Sequence, residues 1–480
     1  MGVENRALCL AAEGRCVSGP VPTGRQGGTA SGWKGLLALL SLGLCALLWI
    51  SGLQQSLERP SVNDALSLRQ LELAVEAEPL LPAGLGQLFR DNESRGALID
   101  TLRKQVEADA GPPQPELTLE LALLEGGSAG QTRLSALNSA VPPEQRPLLE
   151  ALAATGPGSQ DRERIELLLA PWPVSALTRQ LACKALAAAP ALCQDSATRW
   201  NILGRWLAVS LGPVLLLLAG AGLLLRELWR RWRGTATPVP ALQGPPLGLA
   251  DVTILIAGGF VVLGELFVPQ LLIPLVQAML APLADRTAQT QALQVLLLYG
   301  GLMLAPLMIL AALLRPLGPR PALGWLQWRW RPMGSAVGLA AGHVLMVLPL
   351  VALSGWLMER VWSEPSGSNP LLELVLTNRD PLALAALAVT ATVLAPLFEE
   401  TLFRGVLLPV LAERWGRGWG VVVSGLTFGL AHLSLGELTP LVVLGLALGW
   451  LRLRNGRLAP CVLMHGLWNS LTFVNLLLLA

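Results

Sequence analysis

The sequence predicts an all-α protein, a polytopic membrane helical bundle of about nine transmembrane helices with an inserted soluble helical domain. Three observations carry that prediction. Of the 480 residues 52% are hydrophobic and only 14% are charged, against roughly a quarter charged in an average soluble domain. Runs of Leu, Val, Ala and Gly recur at about the 20-residue length that crosses a bilayer. One stretch, residues 54–200, differs in kind: its 13 Lys/Arg stand against 19 Asp/Glu, a balance of −6 in a chain whose total is +2. No basic stripe with interleaved aromatic residues occurs outside short loops, so no nucleic-acid partner is expected.

Taken in order, residues 1–32 are polar and Gly-rich and read as a disordered tail. Arg6 stands where a myristoylation signal needs Ser or Thr. The first apolar run, Gly35 to Ile50, has no clear cleavage site after it, and residues 33–53 read as a retained anchor. In residues 54–200 amphipathic pieces at Val62–Glu78, Arg95–Ala108, Glu144–Ala153, Asp161–Leu169 and Val174–Ala188 are separated by Pro and Gly, with Ser61 and Ser159 at cap positions. Cys183 and Cys193 lie ten residues apart across Pro190 and read equally as a disulfide or as two small core residues. Residues 201–250 hold one span and a Pro-rich linker, TPVPALQGPPLGLA, and residues 251–480 form the main bundle. The spans are expected at Trp206–Leu225, Val252–Leu275, Ala292–Leu314, Gly334–Leu357, Leu384–Leu411, Gly418–Leu433, Leu438–Leu451 and Ala459–Leu479.

Arg and Lys placement orients these spans. With the N-terminus cytoplasmic, the inner flanks carry 17 basic residues, whereas the short outer loops carry Arg286, Arg360 and Arg379. The positive-inside rule then places residues 54–200 and the C-terminus outside. The expected location is the plasma membrane, or the thylakoid membrane in a photosynthetic cell.

Ionisable groups inside apolar helices are costly and usually have a reason. They concentrate here in the last hundred residues. Ala395–Gly405 holds two adjacent carboxylates and a guanidinium. Glu400 and Arg404, four apart, share a helix face and can neutralise each other. Glu399 points about 100° away from that face. Phe428 with His432, and His465 with Asn469, are again four apart, each pair on one face. Measured from the basic loops, these groups fall in one layer about 12 to 22 Å deep. A carboxylate, two imidazoles and a carboxamide meeting there can hold and activate water: Glu399 as base, the histidines orienting, Asn469 stabilising an oxyanion. That is hydrolytic chemistry.

EExxxR, FxxxH and HxxxN, in that order on successive helices, resemble the motifs of the CPBP or Abi family. That family comprises intramembrane glutamic endopeptidases and includes the type II CAAX prenyl proteases. Here the motifs read Glu399-Glu400 to Arg404, Phe428 to His432, and His465 to Asn469. The resemblance is firm over about 380–475 and extends back to about 250. The lead-in SNPLLELVL is similar to that of cyanobacterial and plastid members, and residues 1–200 lie outside the likeness. It implies Glu399 as general base, His432, His465 and Asn469 around the water, Glu400, Arg404 and Phe428 in support, and no obligatory cofactor.

Alternatives stay open on the sequence alone. Glu399, His432 and His465 are also zinc ligands by type, although no HExxH or GxGD motif occurs, nor a GxS serine elbow in a span facing a His. The implied partners are the bilayer and a membrane or lipid-anchored protein substrate, with an unknown partner for residues 54–200. A non-catalytic scaffold or chaperone acting through residues 54–200 is the alternative function. Transport is weaker, since no inverted repeat is visible. His343 and Glu265 match no motif and read as packing residues. Trp325, Trp328 and Trp330 with Arg329 and Arg331 read as an interfacial belt.

Overall fold

The computed structural model describes residues 32–58, 62–81, 93–108, 114–154, 160–187, 193, 196–235, 238–283, 287–361 and 370–479. The tail before Gly32 and the expected caps Ser61 and Ser159 lie outside those residues, as does the side chain of Glu265.

The first apolar run forms α1 (Gly32–Glu58). Residues 62–187 fold as seven short helices: α2 (Val62–Ala77), α3 (Glu93–Ala108), α4 (Pro115–Glu125), α5 (Gly127–Ala140), α6 (Arg146–Ala153), α7 (Arg162–Leu169) and α8 (Ala176–Leu186). Five of these match the amphipathic pieces expected. The other two, α4 and α5, occupy a segment without a clear apolar stripe. They turn at Gly126 and Gly127, whose φ values of 60° and 53° suit glycine. Two apolar cores hold the domain: Leu98, Leu102, Leu121 and Leu177 form one, and Leu148, Leu149, Ile165 and Trp172 anchor the other. Asp161 caps α7 by accepting from the Arg164 N–H, and Ser175 caps α8 by accepting from Thr178. A disulfide joins Cys183 to Cys193, with Cα atoms 5.8 Å apart. Such bonds belong to oxidising compartments.

The membrane part continues with α9 (Ser196–Trp232) and a sharply bent pair, α10 (Leu249–Gly264) and α11 (Val268–Leu280), which meet at 43°. Then follow α12 (Thr287–Leu314), α13 (Met333–Val361), the short α14 (Pro370–Thr377) and α15 (Pro381–Trp415). Last come α16 (Arg417–Leu430), α17 (Leu438–Asn455) and α18 (Ala459–Leu479). Among the described residues six helices are long and apolar enough to cross a membrane, seven if the bent pair is one span. Of the nine spans expected, the two between Gly418 and Leu451 differ. The 14 residues of α16 reach only about 21 Å at 1.5 Å per residue. It forms an antiparallel hairpin with α17, pressed together where a Cβ on Gly445 would come within 2.8 Å of the Gly425 carbonyl. Leu39, Leu215 and Leu218 are among the large apolar side chains that α1 and α9 turn outward, as lipid-facing helices do.

The basic segments expected on the inner side meet at one end of the bundle. Lys34 pairs with Asp251 at 2.8 Å, Arg231 and Arg454 both pair with Glu227, and Arg457 donates to the Arg331 carbonyl. At the opposite end Arg205 donates to the Leu478 carbonyl at 2.7 Å. There Leu73 and Ala77 of α2 pack with Ile202, Trp206 and Leu479, seating the helical domain on the bundle.

Within that domain Glu72 is buried beside Glu120 and Glu76. Burial first, then the neighbouring Glu120 carboxylate, pushes its acid up to about 7, with Arg69 at 2.7 Å opposing. A carboxylate raised on folding contributes stability that is complete below its ordinary value and lost as pH rises through the folded value. Thermal unfolding of the full chain should therefore come at lower temperature at pH 8 than at pH 5.5, and Glu72→Gln should flatten that difference.

Candidate active site

The site is built on α15, which departs twice from regular α geometry. It is π-helical over Thr390–Leu394 and again over Thr401–Leu407, flanking the α-helical Ala395–Glu400. Wider turns loosen the backbone ladder, and such bulges often mark functional sites. Carbonyls in both segments accept bonds from neighbouring helices. Ala391 O accepts from Asn469 Nδ2 at 2.7 Å, and Arg404 O accepts from Arg452 Nε at 3.2 Å. A Cβ on Gly466 would meet Thr392 O at 2.7 Å, so α18 can approach the first bulge only through glycine there.

Glu400 and Arg404 have no solvent exposure, and Nη1 of Arg404 donates to Glu400 Oε1 at 2.8 Å. The guanidinium also donates to Gly445 O at 3.0 Å and lies 4.4 Å above the Phe428 ring. Phe428 in turn packs edge-on against His432 and His465, with centroids 4.7 and 5.6 Å away. The expected pairing of Glu400 with Arg404 is thus present, and Phe428 sits beneath both imidazoles.

Hydrogen-bond partners set the histidine tautomers. His432 Nδ1 lies 2.8 Å from the Phe428 carbonyl, which only accepts, so Nδ1 carries the hydrogen. His465 Nδ1 lies 3.0 Å from Glu400 Oε1, a carboxylate oxygen already engaged by Arg404, and carries its hydrogen for the same reason. The Nε2 atom of each ring is left facing Glu399. Its Oε2 is 3.8 Å from Nε2 of His432 and 3.9 Å from Nε2 of His465. That oxygen is buried without a protein partner, whereas Oε1 accepts from the Tyr299 hydroxyl at 3.0 Å. The gaps to the two imidazoles exceed a direct hydrogen bond.

A tetrahedral zinc with bonds of about 2.0–2.1 Å would bring its donor atoms to about 3.4 Å from one another. Among the described residues no group of three or more His, Cys, Asp or Glu has the arrangement to hold a metal ion.

Glu399, His432, His465 and Asn469 line one cavity of about 450 Å³, together with Tyr299 and Glu437. The structure thus brings together all four residues expected to surround a water. Tyr299 and Glu437 were not legible, because neither has a helical-spacing relation to the motifs. His343 Nδ1 donates to Leu339 O, 2.8 Å away within its own helix, and His343 takes no part in this cavity.

Glu399, His432 and His465 thus form a carboxylate–imidazole cluster inside a helical membrane bundle. Residues 381–471 match a family described as type II CAAX prenyl endopeptidase Rce1-like. Residues 63–203 match a family described only as a domain of unknown function (DUF8675). No curated protein and no solved structure matches the chain.

Removing one member of a buried ion pair strands the other charge at about 3–5 kcal/mol. Arg404→Ala should therefore sharply lower the yield and unfolding temperature of purified protein. Adding Glu400→Gln to Arg404→Met should recover much of that loss, as size-exclusion and thermal-shift measurements can show.

Proposed function

We propose that the protein is an intramembrane endopeptidase that hydrolyses a peptide bond of a membrane or lipid-anchored protein with water activated by Glu399. The observation that carries this reading is the unpartnered Oε2 of Glu399, 3.8 and 3.9 Å from two imidazole Nε2 atoms whose own hydrogens point elsewhere. A water held there gives one proton to Glu399 and directs its second hydrogen to an imidazole. Its oxygen attacks the scissile carbonyl carbon, forming a tetrahedral oxyanion. Asn469 uses one amide hydrogen on Ala391 O, and its second is placed to donate to that oxyanion. Glu399 then returns its proton to the departing amine nitrogen as the C–N bond breaks, and water has been added across the peptide bond.

The apolar surroundings favour a lipid-like substrate. A second cavity of about 490 Å³, lined mainly by apolar residues of α1, α10, α15 and α16, adjoins the site. Phe260 and Ala431 line both cavities. A chain carrying a prenyl or acyl group could place the lipid in the apolar cavity and its peptide bond beside Glu399. The family match to CAAX prenyl endopeptidases supports the same substrate class.

The test uses the full chain in lipid nanodiscs with three peptides: one farnesylated and CAAX-terminated, one palmitoylated, and one apolar and unmodified. Mass spectrometry should detect cleavage of a lipidated peptide. Glu399→Gln should lower the rate by at least about 100-fold without changing the unfolding temperature. Undiminished cleavage by Glu399→Gln would contradict the reading. A cellular phenotype that survives Glu399→Gln but is lost on deleting residues 54–200 would favour a scaffold instead.

A further inference from the structure

We infer that Tyr299 is a positioning residue for Glu399, selecting which carboxylate oxygen faces the two imidazoles. This rests on the proposed role of Glu399 as base. Tyr299 is the single tyrosine of the chain and lies on α12, outside the segment that matches the endopeptidase family. Its hydroxyl donates to Glu399 Oε1 at 3.0 Å and its ring lines the same cavity.

A glutamate's terminal torsion is broad and nearly two-fold, so an unheld carboxylate can exchange its oxygens or swing away. With Oε1 bound to Tyr299, Oε2 is the oxygen left toward His432 and His465, and it is the one buried without a protein partner. The phenol suits this task inside a membrane. Its ring is compatible with an apolar wall, while its hydroxyl is a donor.

The backbone beneath Tyr299 is held by close packing. A Cβ at Gly301 would fall 1.9 Å from Leu272 Cδ1, so α12 sits hard against α11 through glycine. A Cβ at Gly259 would lie 3.4 Å from Pro306 Cα, which sets α10 equally close to α12. Phe260, next along α10, meets Phe398 edge-on at 5.6 Å, one residue before Glu399. The hydroxyl and the carboxylate are therefore carried on helices whose separation small residues determine.

Because the chain has one tyrosine, tyrosine labelled with ¹³C at the ring carbon bearing the hydroxyl marks Tyr299 alone. In full-length protein in nanodiscs, its single resonance should shift in Glu399→Ala, which removes the acceptor. The infrared carboxyl bands of Glu399, assigned by their loss in Glu399→Gln, should shift in Tyr299→Phe, with the unfolding temperature unchanged. A resonance indifferent to Glu399→Ala, or carboxyl bands unmoved in Tyr299→Phe, would overturn the inference. Neither readout needs a substrate. Failure here with cleavage still dependent on Glu399 would leave the endopeptidase reading intact, whereas persistent cleavage by Glu399→Gln would sink that reading instead.

Discussion

Glu400 and Arg404 are sealed from solvent, and the bond between them constrains nearly every other choice in the site. A charge in such a core is tolerable only when paired and when its remaining hydrogen-bonding groups find partners. Arg404 meets part of that demand with the Gly445 carbonyl on α17 and the face of Phe428 on α16. Glu400 meets part of its own with His465 on α18. Four segments of chain thus converge on one ion pair, and the hairpin of α16 and α17 can dock only because Gly425 and Gly445 let it come close.

The pair also explains how adjacent carboxylates acquire different work. Glu400 is held by a guanidinium and an imidazole and stays a fixed acceptor. Glu399, turned to another face, meets a phenol on one oxygen and two imidazole Nε2 atoms across the other. Glu400 sets the His465 tautomer, so the first carboxylate prepares the surroundings of the second. That division of roles follows from geometry and hydrogen-bond direction, with no need for the two groups to differ chemically.

Much of this was legible in the sequence because it depends on helical spacing. Glu400 with Arg404, Phe428 with His432, and His465 with Asn469 are each four residues apart, and charge within apolar runs drew attention to them. The membrane class followed from hydropathy. Features made by tertiary contact were invisible. Tyr299 lies 100 residues from its partner Glu399 on a helix with no motif. The π segments of α15 look like ordinary apolar helix, since their effect is on backbone register. Residues 115–140 hide two helices behind glycine and small polar residues, whose burial only packing reveals. The hairpin of α16 and α17 read as two spans because hydropathy does not register that α16 ends after 14 residues.

The central claim is that Glu399, His432 and His465 enclose a water. A cryo-electron microscopy map of the full chain in a nanodisc, at a resolution that shows ordered solvent, tests it directly. The account predicts one solvent-sized peak within about 3.2 Å of Glu399 Oε2 and both Nε2 atoms. A peak at metal–ligand distance, about 2.0–2.1 Å from the same three atoms, would contradict it. So would a cavity in which Glu399 turns away from the imidazoles.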